Sequence, residues 1–173
     1  AREHKIAGRV FVHGIPAAEA PLVIVLHGDA PFRKPGYHYL FAASLSEQLP
    51  AIPVVALLRP GFADPYGGRS DGERGNASGD DYTKEVTEDL SRAIESLRSQ
   101  FFATSVVLIG HSGGAAIAAN LTAASPRLVD LLIPVSCPCN VPEFRKHMAR
   151  QQLNPFWLWP SDSLSPLATV EQL

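Results

Sequence analysis

The sequence predicts an α/β fold built on a doubly wound, mostly parallel sheet. Three observations carry that prediction. Four short apolar runs, residues 21–28, 52–61, 105–110 and 128–137, are rich in β-branched residues, which is how strands covered on both faces read. Stretches of helical periodicity separate these runs. The length, 173 residues, holds one domain with a core of its own but not two comfortable ones. Strands that alternate with helices inside one domain form parallel sheets joined by right-handed crossovers.

Taken in order, "HKIAGRVFVHG" (4–14) is strand-like and runs into a turn at Gly14–Pro16. "PLVIVLHG" (21–28) is the first buried strand. Residues 37–49 suit an amphipathic helix with Leu40, Ala43 (or Ser44) and Leu45 facing inward. "IPVVALLRPG" (52–61) is the next strand, stopped by Pro60–Gly61. Residues 62–81 are polar and glycine-rich, a long loop of the kind that carries function or moves. Asp80 or Asp81 is expected to cap the following helix, whose Val86, Leu90, Ile94, Leu97 and Phe101 make one apolar stripe. "SVVLIG" (105–110) is a strand. "GGAAIAANLTAAS" (113–125) is a helix of such small residues that it must pack closely on something. "LVDLLIPVSC" (128–137) reads as a buried strand, and 141–153 and 165–173 read as helices around a Pro/Trp-rich linker.

Composition narrows the function. The formal charge of −2 and a pI near 6.3 give no electrostatic footprint for nucleic acid or an anionic membrane. No apolar run approaches the ~20 residues of a bilayer span. The one-residue spacing of Cys137 and Cys139 argues for two free thiols, which weakly favours a reducing, cytoplasmic setting. The chain begins at Ala1 rather than Met, which leaves a removed leader open. Neither a dinucleotide-binding nor a phosphate-binding glycine loop is present, and no clustered metal ligands are visible, so neither a cofactor nor a metal is expected.

The chemistry concentrates at "LIGHSGGAAIAAN" (108–120). Gly110, Ser112 and Gly114 match G-x-S-x-G. The bare pattern arises by chance in roughly one chain in twenty of this length. Here it follows a buried strand at once and opens a helix, the context in which a sharp turn lifts a serine out of the sheet edge. Glycine on either side avoids a clash in that turn, and the Gly113 N–H at the helix start is free to stabilise negative charge. Upstream, "LHGDAP" (26–31) ends a strand at the same sheet edge, and its loop can lend a second N–H from Asp29. In doubly wound sheets ligands collect at that edge, so residues 27–30, 59–62, 110–114 and 136–140 are the ones to inspect.

These residues resemble the α/β-hydrolases. "VIVLHGDA" is similar to the family's oxyanion strand and loop, and "VVLIGHSGGAAIAANLTAASP" to its nucleophile elbow and helix. The resemblance covers about residues 5–140. It implies a serine hydrolase that cleaves a carboxylic ester, or a related acyl bond, of a small molecule. Ser112 would be the nucleophile, with the N–H groups of Asp29 and Gly113 as the oxyanion hole, through an acyl-enzyme. An acyltransferase on the same fold, or an incomplete hydrolase that only binds, stays open. His27, Phe62, His111 and Trp157 are expected around the substrate, and residues 141–165 as a short helical lid.

The family's acid and histidine follow the serine along the chain. After Ser112 stand one histidine, His147, in the polar helix "EFRKHMARQQ", and two aspartates, Asp130 and Asp162. Asp130 falls at the wrong end of a strand, and Asp162 comes after His147 instead of before it. The expectation is a single hydrolase domain over 1–173 that is incomplete at its C-terminus. A further segment, or a second chain, would then complete the sheet along an apolar edge at 128–137 and bring the acid and base.

Overall fold

The computed structural model describes residues 4–74 and 80–169. Five strands, β1 (Gly8–Phe11), β2 (Leu22–Leu26), β3 (Val54–Leu57), β4 (Val106–His111) and β5 (Leu131–Val135), form one sheet in the order β1-β3-β2-β4-β5. All neighbours are parallel except β1, which runs antiparallel to β3. Helix α1 (Tyr37–Gln48) carries the chain from β2 to β3, and α2 (Lys84–Gln100) carries it back past β2 to β4. Strands β2 and β4 are thus neighbours whose crossovers leave in opposite directions, the switch point at which ligands collect in such sheets. Their register pairs Leu26 with Gly110, so the loop after β2 and the turn after β4 emerge side by side.

The strand sequences explain the layers. Leu22, Ile24 and Leu26 of β2 point to one face and meet Val86, Leu90 and Ile94 of α2 and Ile117 and Leu121 of α3 (Gly113–Ala124). Val23 and Val25 point to the other and meet Tyr39 and Ala42 of α1. The α2 stripe is as expected, but its cap is not. Thr83 accepts from the Val86 N–H at 3.3 Å, while Asp80 is buried in an ion pair with Arg145 and so unavailable for capping. The inward face of α1 agrees with the expected one at Leu45, which packs against the Val23, Val25 and Tyr39 cluster, but not at Leu40. Leu40 is 69% exposed, and the buried positions are His38, Tyr39, Ala42 and Ser46, because Tyr39 donates its hydroxyl to Asp64 and His38 packs against His27.

The C-terminal part departs most. Strand β5 is the sheet's edge strand, in line with the apolar edge expected at 128–137, but it is not the buried strand its apolar run suggested: Leu131, Ile133 and Val135 are exposed among the described residues. Helix α4 (Val141–Gln152) forms as expected, but 165–169 hold only a 3-10 turn, Pro166–Ala168, and 170–173 lie outside the described residues. Cys137 and Cys139 are joined as a disulfide. Sequence spacing does not fix Cα separation, and here it is 5.1 Å, inside the range a disulfide spans. The sequence argument for a reducing compartment falls with the free thiols. No helix among the described residues is long and apolar enough to cross a membrane.

His38 gives the fold a pH dependence. It is 1% exposed, and neither ring nitrogen has a hydrogen-bond partner among the described residues. Its ring lies 4.0 Å from that of Tyr39 and 4.9 Å from that of His27. Burial pulls its pKa down to about 4. The unfolded chain therefore binds more protons between pH ~6.5 and ~4, so stability falls as pH drops through that interval and levels off below it. Burial of this one ring corresponds to about 3 kcal/mol over the interval. The expected outcome is that His38→Leu loses less stability than the parent between about pH 7 and about pH 4. Urea unfolding at the two pH values checks this, and parallel losses in both proteins would refute it.

Candidate active site

Ser112 stands between β4 and α3 with φ 52° and ψ −122°, a conformation that residues with a side chain rarely adopt and that costs on the order of 1–3 kcal/mol. The surroundings hold it there. Its N–H donates to Val135 O at 2.8 Å, and its carbonyl accepts from the Ala115 and Ala116 N–H groups at 2.8 and 3.2 Å. The turn brings α3 back onto its own strand. A Cβ on Gly110 would run into Gly114 O, and one on Gly114 would run into His27 O, with Leu26 O at 2.8 Å. Ten of the twelve residues of α3 are buried, which explains its small side chains. Ser112 thus stands at the apex of a strand-to-helix turn, with Gly110 and Gly114 packed against backbone.

The loop after β2 passes against this turn. A Cβ on Gly28 would lie 2.9 Å from Ser112 Cβ and 3.1 Å from His111 Nδ1. Two amides are available beside Ser112. The Gly113 N–H begins a helix and so has no intrahelical acceptor, and the Asp29 N–H makes no hydrogen bond within the described residues. The Asp29 carboxylate occupies the space beside Gly113, where a Cβ would overlap its Oδ1. There it accepts from Arg59 Nη1 at 2.7 Å and from the Tyr82 hydroxyl at 2.5 Å. Arg59 is 1% exposed, so its charge offsets that of Asp29 in a poorly screened setting. Burial, reinforced by the Asp29 charge, raises the Tyr82 pKa and keeps the phenol a donor.

His27 does not line a pocket. It is fully buried, its Nδ1–H donates to Gly28 O at 2.7 Å, and its Nε2 accepts from the Arg59 N–H at 3.0 Å. Burial, aided by the Arg59 charge, holds its pKa well below the ordinary value, so the ring is neutral. Gly28 C=O and Asp29 N–H belong to one trans peptide unit and point opposite ways. By holding the carbonyl inward, His27 turns the Asp29 N–H outward. Phe62 is 2% exposed and packs edge-on against His27 at 4.8 Å, so it is core and not pocket wall. Trp157 is also buried, against Phe144 and Arg145 of α4, and donates to Gln152 Oε1 at 2.9 Å. It pins the 3-10 turn Pro155–Leu158 to α4. Only His111 of that expected set is exposed beside Ser112.

The remaining titratable residues do not complete a triad. Asp130 accepts from the Val106 N–H at 2.8 Å, at the start of six-residue β4, about 20 Å of strand from Ser112. His147 and Asp162 are exposed on the C-terminal part and make no hydrogen bond within the described residues. His4, Glu85 and Asp89 bring ligand atoms within 4.8 Å of one another, but His4 at 2.8 Å and Arg92 at 2.5 Å already engage Asp89. Sequence reasoning flagged Arg59 by position without giving it a role and missed Tyr82. A basic residue at a strand's carboxyl end beside an aspartate-bearing loop was the available signal for Arg59.

A family model described as the alpha/beta hydrolase family matches residues 10–171. Est1E from Butyrivibrio proteoclasticus, solved with ferulic acid, superimposes with a TM-score of 0.61 at 20% identity, over 83% of this chain and 53% of that one. Esterase PE8 gives 0.57 at 22% identity, over 77% and 64%. The monoacylglycerol lipase of Paleococcus ferrophilus gives 0.53 at 20% identity, over 84% and 51%. This chain spans about half the length of the solved relatives it matches first. No curated protein matches it.

The tightest contact in the turn yields a stability test. Gly114→Val would force the β-branched side chain into the backbone of residues 26 and 27, and the expected cost is about 3 kcal/mol or more. Thermal unfolding of the variant beside the parent checks this; equal melting temperatures would show that the turn has room it is described here as lacking.

Proposed function

The chain belongs to the α/β-hydrolase family, and from that premise we propose that the protein is a serine hydrolase cleaving a carboxylic ester of a small molecule through an acyl-enzyme on Ser112. The observation that carries the proposal is the strained Ser112 turn with two uncommitted amides, Gly113 N–H and Asp29 N–H, beside it. In this reading Ser112 Oγ attacks the acyl carbon and gives its proton to a base. The carbonyl oxygen becomes an oxyanion held by the two N–H groups. Collapse breaks the ester C–O bond and releases the alcohol with the returned proton. Water then attacks the acyl-enzyme by the same route and frees the acid and Ser112. The Asp29 carboxylate would oppose the oxyanion, and Arg59, at 2.7 Å, offsets it.

No histidine among the described residues hydrogen-bonds Ser112 Oγ. We therefore assign the acid and base to a C-terminal segment, or a second chain, paired along the exposed β5 edge, an unpaired ladder with apolar side chains. Residues 141–165 are the proposed lid. The Arg145–Asp80 ion pair and the hydrogen bond from Leu164 N–H to Tyr82 O anchor them.

The expected outcome for the complete native protein is turnover of short-chain p-nitrophenyl esters that falls by about 10³-fold or more in Ser112→Ala, with a fluorophosphonate label at Ser112 in the parent. A label on another residue, or an active Ser112→Ala, would refute the assignment. The polypeptide 1–173 alone is expected to turn over poorly, since general-base help is worth about 10²–10⁴-fold. Full activity in that polypeptide would place the base within it, and His147 would be the first residue to replace.

A further inference from the structure

We infer that Tyr37 is a positioning residue of this site, whose hydroxyl ties the loop after β2 to the residue before Ser112 and so fixes the Asp29 N–H relative to the nucleophile. The inference rests on the reading of Ser112 as nucleophile and adds a residue to it.

Tyr37 opens α1, and its hydroxyl reaches back across the loop. It accepts from the Gly28 N–H at 2.6 Å and lies 2.7 Å from His111 Nδ1. One lone pair takes the amide, and the same oxygen meets Nδ1 of His111, so one hydroxyl joins the loop backbone to the imidazole. The two rings meet edge-on, with centroids 5.5 Å apart and planes at 85°. Burial raises the Tyr37 pKa, more than the Gly28 hydrogen bond lowers it, so the hydroxyl keeps its proton at neutral pH.

Two consequences concern the reaction. The Gly28 N–H is consumed, which leaves the Asp29 N–H as the amide this stretch of loop offers to an oxyanion. The loop is also pinned at two successive peptide units. Tyr37 holds the first through the Gly28 N–H, and His27 holds the second through Gly28 O. Without the Tyr37 hydroxyl the first unit is free to rotate, and its neighbour carries the oxyanion donor. The clamp closes on the serine because Gly28 approaches both Ser112 Cβ and His111. Tyr37 is 46% exposed, so water can reach the Gly28 N–H once the hydroxyl is gone, and the fold loses little.

The test uses the complete native protein and a short-chain p-nitrophenyl ester. Tyr37→Phe is expected to lower kcat by roughly tenfold to a hundredfold, the size of effect that about 1 Å of misplacement produces, with KM and the melting temperature close to the parent's. His111→Leu removes only the imidazole end of the bridge and should lower kcat in the same direction. The double variant should lose about as much kcat as the more damaging single variant and no more, since both break one chain of contacts. An unchanged kcat in Tyr37→Phe, with Ser112→Ala inactive, overturns the inference and leaves the nucleophile standing. A rise in KM alone makes Tyr37 a substrate contact and also overturns it. Additive losses in the double variant do the same. An active Ser112→Ala overturns the nucleophile and the positioning role together. If Tyr37→Phe fails to fold, the kcat of His111→Leu decides: a fall supports the bridge, and parental kcat overturns it.

Discussion

The return of α3 onto the end of its own strand is the constraint on which the rest of the site depends. Helix and strand approach until backbone meets backbone at Gly110 and Gly114. At that distance the intervening residue has no ordinary conformation left, and Ser112 takes φ 52°. The same geometry aims the first helical N–H outward and leaves β2, the adjacent strand, as the support for the opposite wall. The strain falls on one residue, and many buried neighbours hold it.

The second requirement is electrostatic. A site proposed to stabilise negative charge carries an aspartate within it, and that is tolerable only because a buried guanidinium and a phenol take both carboxylate oxygens. Tyr82 links this arrangement to the C-terminal part of the chain. Its backbone N–H donates to Ser163 Oγ at 3.1 Å, its carbonyl accepts from Leu164 N–H, and Asp80, two residues earlier, is paired with Arg145. The segment at 80–82 is therefore shared structure, fastened on one side to the loop after β2 and on the other to α4.

The alternation of strands and helices, the turn at Ser112 and the stripe of α2 were legible in the sequence because each is a local pattern with one physical solution. What was not legible depended on tertiary partners. The face of α1 was only partly legible because Tyr39 and His38 are polar in isolation, yet Tyr39 is buried by its hydrogen bond to Asp64 and His38 by its rings. The Asp80 side chain reads as a helix cap until Arg145, 65 residues away, claims it. Strand β5 reads as covered because its residues are apolar, but cover depends on what packs over a strand, and Leu131, Ile133 and Val135 are exposed. Phe62 and Trp157 are large and near the right loops, and only coordinates show that they point into other packing.

His27 has a consequence for how mutational scans of this protein are interpreted. A histidine beside a serine proposed as nucleophile invites the role of base, and replacing it would be expected to abolish turnover. Yet its two nitrogens are spent on backbone, one as donor and one as acceptor, a pairing that requires one neutral tautomer. The residue is a strut selected for its tautomer. Loss of activity at position 27 would thus report a collapsed loop, and the measurement that tells strut from base is stability, which a surface base would leave untouched and this ring would not.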